Sequence, residues 1–202
     1  MSKRAELRGK VFAAITGRTR ADVSGRGGDI QGMLLAAFGP SPRDPARPDT
    51  RAAAEHLEVS QRTVQRWIAS AGHQRTKPKP DTVGQLAKMA RQAASTKAGR
   101  ARAAKQAFGG AAPTDMRVSV RGRQGPVTSS ESSIRSDRWS HFDLDDPEFA
   151  SAFIDAWVER GEKGAFDYMS ENSDVLYATD GWYFDLDKIE RFDISGPYGS
   201  DR

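Results

Sequence analysis

Two short helical words, Asp49-Thr50-Arg51-Ala52-Ala53-Ala54-Glu55-His56-Leu57 and Val59-Ser60-Gln61-Arg62-Thr63-Val64-Gln65-Arg66-Trp67, stand one residue apart and can bury their apolar positions only by crossing. Ala54, Leu57, Val59, Val64 and Trp67 fall where two crossed helices touch. Ser60 is placed to cap the second helix by accepting a hydrogen bond from the Thr63 amide. Ser60, Gln61, Arg62, Gln65 and Arg66 are left facing outward. Each donates or accepts hydrogen bonds, which is what a helix laid in the major groove of DNA needs. The pair therefore reads as a helix-turn-helix with DNA as the expected partner; the plainer alternative is a helical hairpin with a polar outer face. Glu58 occupies a turn position where glycine is common because the backbone there often turns left-handed, at some cost to a residue with a Cβ.

Dividing the charges along the chain supports a nucleic-acid partner. The overall balance is only +4, but residues 137–202 hold 17 acids against 6 bases, a net of −11, which leaves 25 bases and 10 acids, a net of +15, in residues 1–136. A basic half concentrates countercharge for phosphates and gives salt-sensitive, largely sequence-independent affinity. The acidic half is repelled by the same DNA, so it is expected to meet a protein or to fold back on the basic half when DNA is absent.

At 202 residues the chain can form one large domain or two small ones, and the break in charge favours two. With no cysteine there is no disulfide framework, thiolate zinc site or cysteine nucleophile, and His56, His73 and His141 are too scattered to suggest a metal site. No segment approaches the roughly 20 apolar residues of a membrane span. No signal-peptide core follows the first residues. A soluble, cytoplasmic, nucleoid-associated protein is expected.

The fold class expected is α+β: an N-terminal all-α helix-turn-helix domain with a long basic helix, then a small acidic α+β domain. Residues 1–28 form a basic extension, with a short amphipathic helix carrying Leu7, Val11, Phe12 and Ile15 on one face and a mobile Gly/Arg stretch after it. Residues 29–73 form the DNA-binding unit. Its first helix runs from Asp29 through Phe38 and closes at Gly39-Pro40, and a loop with four prolines spans 40–49. Residues 74–108 hold a helix from Asp81 to Ala107 whose Lys88, Arg91 and Arg102 either form a solvated face or track phosphates beyond the hairpin. Gly99 weakens its second half. Residues 109–137 contain a strand, Met116 to Arg121, and a polar loop, Gly122 to Ser136. In residues 138–202 the pattern reads as a strand (138–144), a helix capped by Asp146 with Pro147 in its first turn (to about 160), and a second helix (about 164–169). Late strands follow, at 175–177 with a second piece near 182–184, and at 189–194. Phe149, Phe153, Ile154, Trp157 and Val158, with Trp139, Phe142, Trp182, Phe184 and Phe192 from the strands, are the candidate core of this half.

No constellation argues for an enzyme acting alone: there is no phosphate-cradling glycine loop followed by lysine, no nucleophile elbow and no paired-histidine metal helix. The acidic run Asp143, Asp145, Asp146 and Glu148 reads as a helix cap in preference to a cation site.

The chain resembles the telomere-protecting terminal proteins of linear actinomycete chromosomes and plasmids. Ser60-Gln61-Arg62-Thr63-Val64-Gln65-Arg66-Trp67 is similar to that family's recognition helix. Lys77-Pro78-Lys79-Pro80 and the Ala/Arg/Lys helix behind it continue the likeness, as do Pro126-Val127-Thr128-Ser129-Ser130-Glu131, the stretch 138–160 and Lys188-Ile189-Glu190-Arg191-Phe192-Asp193-Ile194. The likeness spans roughly residues 29–194 and is strongest in the hairpin. The basic N-terminal extension, and serines where the family has threonines, depart from the pattern. The resemblance implies a protein that caps the 5′ end of linear DNA, duplex or folded, and supplies a side-chain hydroxyl as primer. That oxygen attacks the α-phosphate of an incoming nucleotide and pyrophosphate leaves.

By motif position the hydroxyl is that of Ser130, then Ser129 or Thr128. A serine alcohol does not ionise unaided at neutral pH, so Mg²⁺, the deoxynucleoside triphosphate and their positioning come from a partner DNA polymerase. No cofactor is expected in the chain itself, and a telomere-associated protein is a further expected partner. Arg117, Arg121, Arg123 and Arg135 flank the loop and are candidates to touch DNA or triphosphate. Two alternatives remain open: a helix-turn-helix transcriptional regulator or replication-origin binder without covalent linkage, in which the serine tract is only a linker, and a scaffold whose acidic domain is its main business.

Overall fold

Short polar side chains set most of the helix starts, by taking amides that the first turn leaves free. In the computed structural model, which describes residues 2–69, 75–111, 113–127 and 132–195, Ser2 accepts from the Ala5 amide at the head of α1 (Lys3–Thr16). Asp29 accepts from Gly32 at α2 (Ile30–Phe38), and Asp49 from Arg51 and Ala52 at α3 (Thr50–His56). Ser60 caps α4 (Gln61–Trp67). Pro80 occupies the first turn of α5 (Pro80–Ser95), where its missing N–H costs nothing.

The single long helix expected over 81–107 is two helices. At Thr96 the backbone is extended, and its Oγ1 accepts from the Gly99 amide (3.0 Å) to cap α6 (Lys97–Phe108). Gly99 marks close approach, because a Cβ there would overlap the Gln92 carbonyl and the Ala93 backbone. The four-proline segment also differs from the expected loop: β1 (Pro40–Ser41) pairs antiparallel with β2 (Asp44–Pro48) around Pro42-Arg43. A two-stranded ribbon this short tolerates prolines because each strand is an edge with few donors to lose.

The larger sheet has the order β4-β3-β5, antiparallel throughout, built from β3 (Met116–Pro126), β4 (Arg135–Leu144) and β5 (Trp182–Ser195). Val118 pairs with Phe142 on one side and Ile194 on the other, and Met116, Val118, Val120, Phe142, Leu144 and Phe192 are buried. β3 continues five residues beyond the expected strand. Buried Gln124 holds that extension: its Nε2 donates to the Val120 and Arg138 carbonyls, and its Oε1 accepts from Trp182 Nε1. Gly122, at φ 153°, lets the Lys188 carbonyl of β5 come against the strand. β4 likewise begins at Arg135, inside the expected polar loop.

On the buried face lie α7 (Pro147–Arg160), capped by Asp146 accepting from the Glu148 amide, α8 (Glu162–Glu171) and α9 (Ser173–Tyr177). Residues 175–177 are therefore helical where a strand was expected, and β5 is one continuous strand instead of two. Ser173 Oγ donates to the Thr179 carbonyl and closes the short helix. Trp139 is the other difference: alternation along β4 turns it to the outer face, 42% exposed, with its ring stacked on His141 at 6.2 Å.

Helix α1 joins the basic and acidic halves. Leu7, Val11, Phe12 and Ile15 are buried, and Phe12 packs on Trp157 of α7 with ring centroids 6.3 Å apart. Arg8 forms a two-point ion pair with Glu162, and Arg100 of α6 donates to the Val158 and Glu159 carbonyls. The stretch expected to be a basic extension thus supplies the element that seals the core, and basic and acidic halves meet through these non-covalent contacts. Among the described residues the chain forms nine helices and two antiparallel sheets, an α+β fold, and no helix is long and apolar enough to cross a membrane.

Candidate nucleic-acid interface

Helices α3 and α4 are held by the residues that the sequence places between them. Ala54, Val64 and Trp67 are buried, with Leu57 and Val59 packed against the same core. The turn is closed by the Val59 amide donating to the Ala54 carbonyl (3.0 Å). Glu58 has φ 55°, the left-handed conformation that its position implies. Because that conformation costs a residue with a Cβ roughly 1–2 kcal/mol, and glycine loses part of the gain to a freer unfolded chain, Glu58→Gly is expected to stabilise the protein by about 1 kcal/mol. A rise in the urea midpoint with an unchanged m-value would register this.

Ser60 Oγ accepts from the Thr63 amide (3.1 Å), as its position predicts, and shares a hydrogen bond with Thr63 Oγ1 (2.8 Å). Gln61, Arg62 and Gln65 are exposed and Arg66 is half-buried. Gln61 Nε2 donates to Thr50 Oγ1 (3.0 Å), which ties the head of α4 to the head of α3. The β1–β2 ribbon stands beside this face. An open groove of about 740 Å³ runs between them, with Arg43 and Arg47 from the ribbon and Arg62 and Arg66 from the helix in its lining, and Asp44 the one acid there among the described residues.

Arg43 and Arg47 were not among the expected site residues. Their signal lay in Ser41-Pro42-Arg43-Asp44, where serine at the first position and proline at the second favour a β-turn; Ser41 Oγ accepts from the Arg43 amide (3.4 Å).

Several cations of the basic half are tied to the acidic half. Arg4 pairs with Asp187, Arg8 with Glu162, Lys97 with Glu159, Arg117 with Asp143, Arg121 with Asp137 and Glu190, and Arg123 with Asp185. The Arg121 guanidinium beside Asp137 holds that carboxyl below its ordinary value. Among the described residues no carboxylate forms an ion pair with Arg43, Arg47, Arg62 or Arg66. The acidic half thus pairs with cations of α1 and β3 and with Lys97 of α6, and among the described residues none of its ion pairs reaches α4 or the ribbon.

Lys88 and Arg91 lie exposed on α5, and Arg102 is exposed on α6 beyond the Thr96 break. Arg102 lines a separate cavity that shares no residue with the α4 groove. Thr128, Ser129 and Ser130 lie outside the described residues; the residues flanking them, Val127 and Ser132, form an antiparallel bridge. Three of the four arginines expected to serve that segment are the ones paired with carboxylates, and Arg135 is exposed. Asp146 serves as a helix cap and Asp143 as a partner of Arg117, and no group of three or more metal-ligating side chains occurs among the described residues. No protein-family model, curated protein or solved structure matches the chain.

Proposed function

We propose that the chain is a DNA-binding protein that reads duplex sequence with α4 and acts at the ends of linear DNA. The observation that carries the DNA reading is the groove in which four arginines, none ion-paired with a carboxylate among the described residues, meet the outward Gln61 and Gln65. On this reading α4 lies in the major groove as the second helix of a helix-turn-helix, with Arg62 and Arg66 on base edges, where an arginine contacts guanine at two points. Arg43 and Arg47 take the flanking phosphates, and Lys88 and Arg91 extend the footprint. If so, the double replacement Lys88→Ala with Arg91→Ala lowers affinity evenly across sequences and flattens the slope of log K against log salt by about 0.9 for each phosphate that is no longer neutralised. An unchanged slope takes α5 out of the footprint.

The role at DNA ends rests on the resemblance to terminal proteins. There, the hydroxyl of Ser130, or of Ser129 or Thr128, stands in for a primer's 3′-OH while a DNA polymerase supplies Mg²⁺ and the nucleotide. Incubation with the polymerase of the same replicon, labelled deoxynucleotides and Mg²⁺ should leave label on the protein through denaturing electrophoresis, and Ser130→Ala should remove it. Label lost only in Ser129→Ala moves the site by one residue. A second reading, a regulator or origin binder with no covalent linkage, is favoured by the commitment of Arg117, Arg121 and Arg123 to carboxylates, which takes them from template or triphosphate. Absence of label under every condition, with DNA binding intact, selects it.

A further inference from the structure

Among the described residues two arginines are buried, and they are satisfied differently. Arg100, 6% exposed, donates to the carbonyls of Ala94, Val158 and Glu159 and feels the charges of Glu162 and Glu159. Arg18, in the Gly/Arg stretch after α1, is 3% exposed and among the described residues forms no ion pair with an acid. Its Nη1 donates to the Ala36 carbonyl (2.9 Å) and its Nη2 to Gln106 Oε1 (2.6 Å), and its Cζ lies 5.6 Å from the centre of the Phe12 ring. Nε has no partner among the described residues. Burial alone pushes the Arg18 pKa down to about 10. A charge taken out of water without a counter-ion is a standing cost to the fold, and it is relieved when an opposite charge arrives.

Arg18 lines a cavity of about 470 Å³ at the junction of α2, α3, α5 and α6. Its polar lining includes Arg102, His56, Gln92 and Gln106, while Met89 and several alanines supply apolar wall; among the described residues no acid lines it. Gln106 accepts from Arg18 through its oxygen, which leaves its amide nitrogen as a further donor. A volume of this size falls within the range of small-molecule sites and exceeds what a lone oxyanion fills. Two guanidinium groups over an acid-free lining match a doubly charged tetrahedral oxyanion better than a single carboxylate.

We propose that this cavity binds a phosphate group, free or as the monoester of a small organic molecule, whose charge is completed by Arg18 and Arg102. The site is independent of the DNA reading, since it shares no lining residue with the α4 groove.

The test follows thermal unfolding and calorimetric binding of the full chain with inorganic phosphate, with a deoxynucleoside monophosphate, and with chloride at matched ionic strength. Phosphate or the monophosphate should raise the melting temperature saturably while chloride does not, and the tighter of the two identifies the source. Gln106→Glu places a carboxylate on Arg18 from within. It should raise the melting temperature without added anion and weaken phosphate binding at least tenfold; Arg102→Ala should weaken binding by a similar factor. Equal shifts in phosphate and chloride overturn the proposal, as does wild-type phosphate affinity in Gln106→Glu. A response to oligonucleotide with none to phosphate or monophosphate also overturns it, because the cavity would then serve a nucleic-acid backbone.

Discussion

Replacing Arg62 or Arg66 by alanine is expected to cost about 1–3 kcal/mol each in discrimination between the preferred duplex and one mismatched at the contacted base pair. Both side chains project from α4 into the groove shared with the β1–β2 ribbon, and neither is held by a carboxylate among the described residues, so neither must leave a protein partner to reach a base. Their rigid fork matches the two acceptors of guanine, and lysine at the same place cannot reproduce it. Arg62→Lys should therefore keep most of the salt-dependent affinity and lose preference nearly as fully as Arg62→Ala. Changing Arg43 or Arg47 should do the reverse, lowering affinity for all duplexes alike. Competition titrations with matched and mismatched duplexes at fixed salt separate the two patterns. Equal losses on both duplexes for Arg62→Ala would make α4 a phosphate clamp.

Trp157→Ala is expected to destabilise the whole chain by about 3–5 kcal/mol, a large share of the stability of most domains. Trp157 is 2% exposed and meets Phe12, so its removal opens a void between α1 and α7 at the seam of the basic and acidic halves. Arg8–Glu162 and the Arg100 hydrogen bonds cross the same seam. Loss of Trp157 should thus lower the stability of both halves in a single transition, followed by far-UV circular dichroism and by amide exchange in α2 and β3. If α2 keeps its protection while β3 loses it, the halves fold separately and α1 is no seal.

Much of this fold was legible in the sequence wherever a local pattern and a cap agree. Asp29, Ser60 and Asp146 each sit before apolar residues at helical spacing and each caps the helix expected of it. What escaped depends on distant partners. The amphipathic face of α1 is plain in Leu7, Val11, Phe12 and Ile15, but periodicity says that a face is buried and not which element covers it. β3 runs on through Gly122 to Pro126 because the Gln124 side chain finds acceptors on β3 itself and β4 and a donor on β5, and no local signal announces that. Asp185, Asp187 and Lys188 break the apolar run of β5 without breaking the strand. Val175-Leu176-Tyr177 is too short an apolar run to tell helix from strand.

In the candidate site, the helix residues were readable because helical spacing alone turns Gln61, Arg62 and Gln65 outward. Arg43 and Arg47 were hidden by the prolines around them, which suggested loop. The pairing of Arg117, Arg121 and Arg123 with acids was invisible because it follows from strand register: Arg117 faces Asp143 across the β3–β4 ladder only once that ladder is drawn.

The most direct measurement of the central claim is amide hydrogen exchange of the full chain with and without duplex DNA, at moderate salt. DNA should slow exchange in α4 and in residues 43–47, with smaller effects near Lys88 and Arg91, and leave the β4-β3-β5 sheet unchanged. Protection confined to that sheet, or no protection at DNA concentrations where a charge-matched control protein binds, would contradict a groove-reading α4.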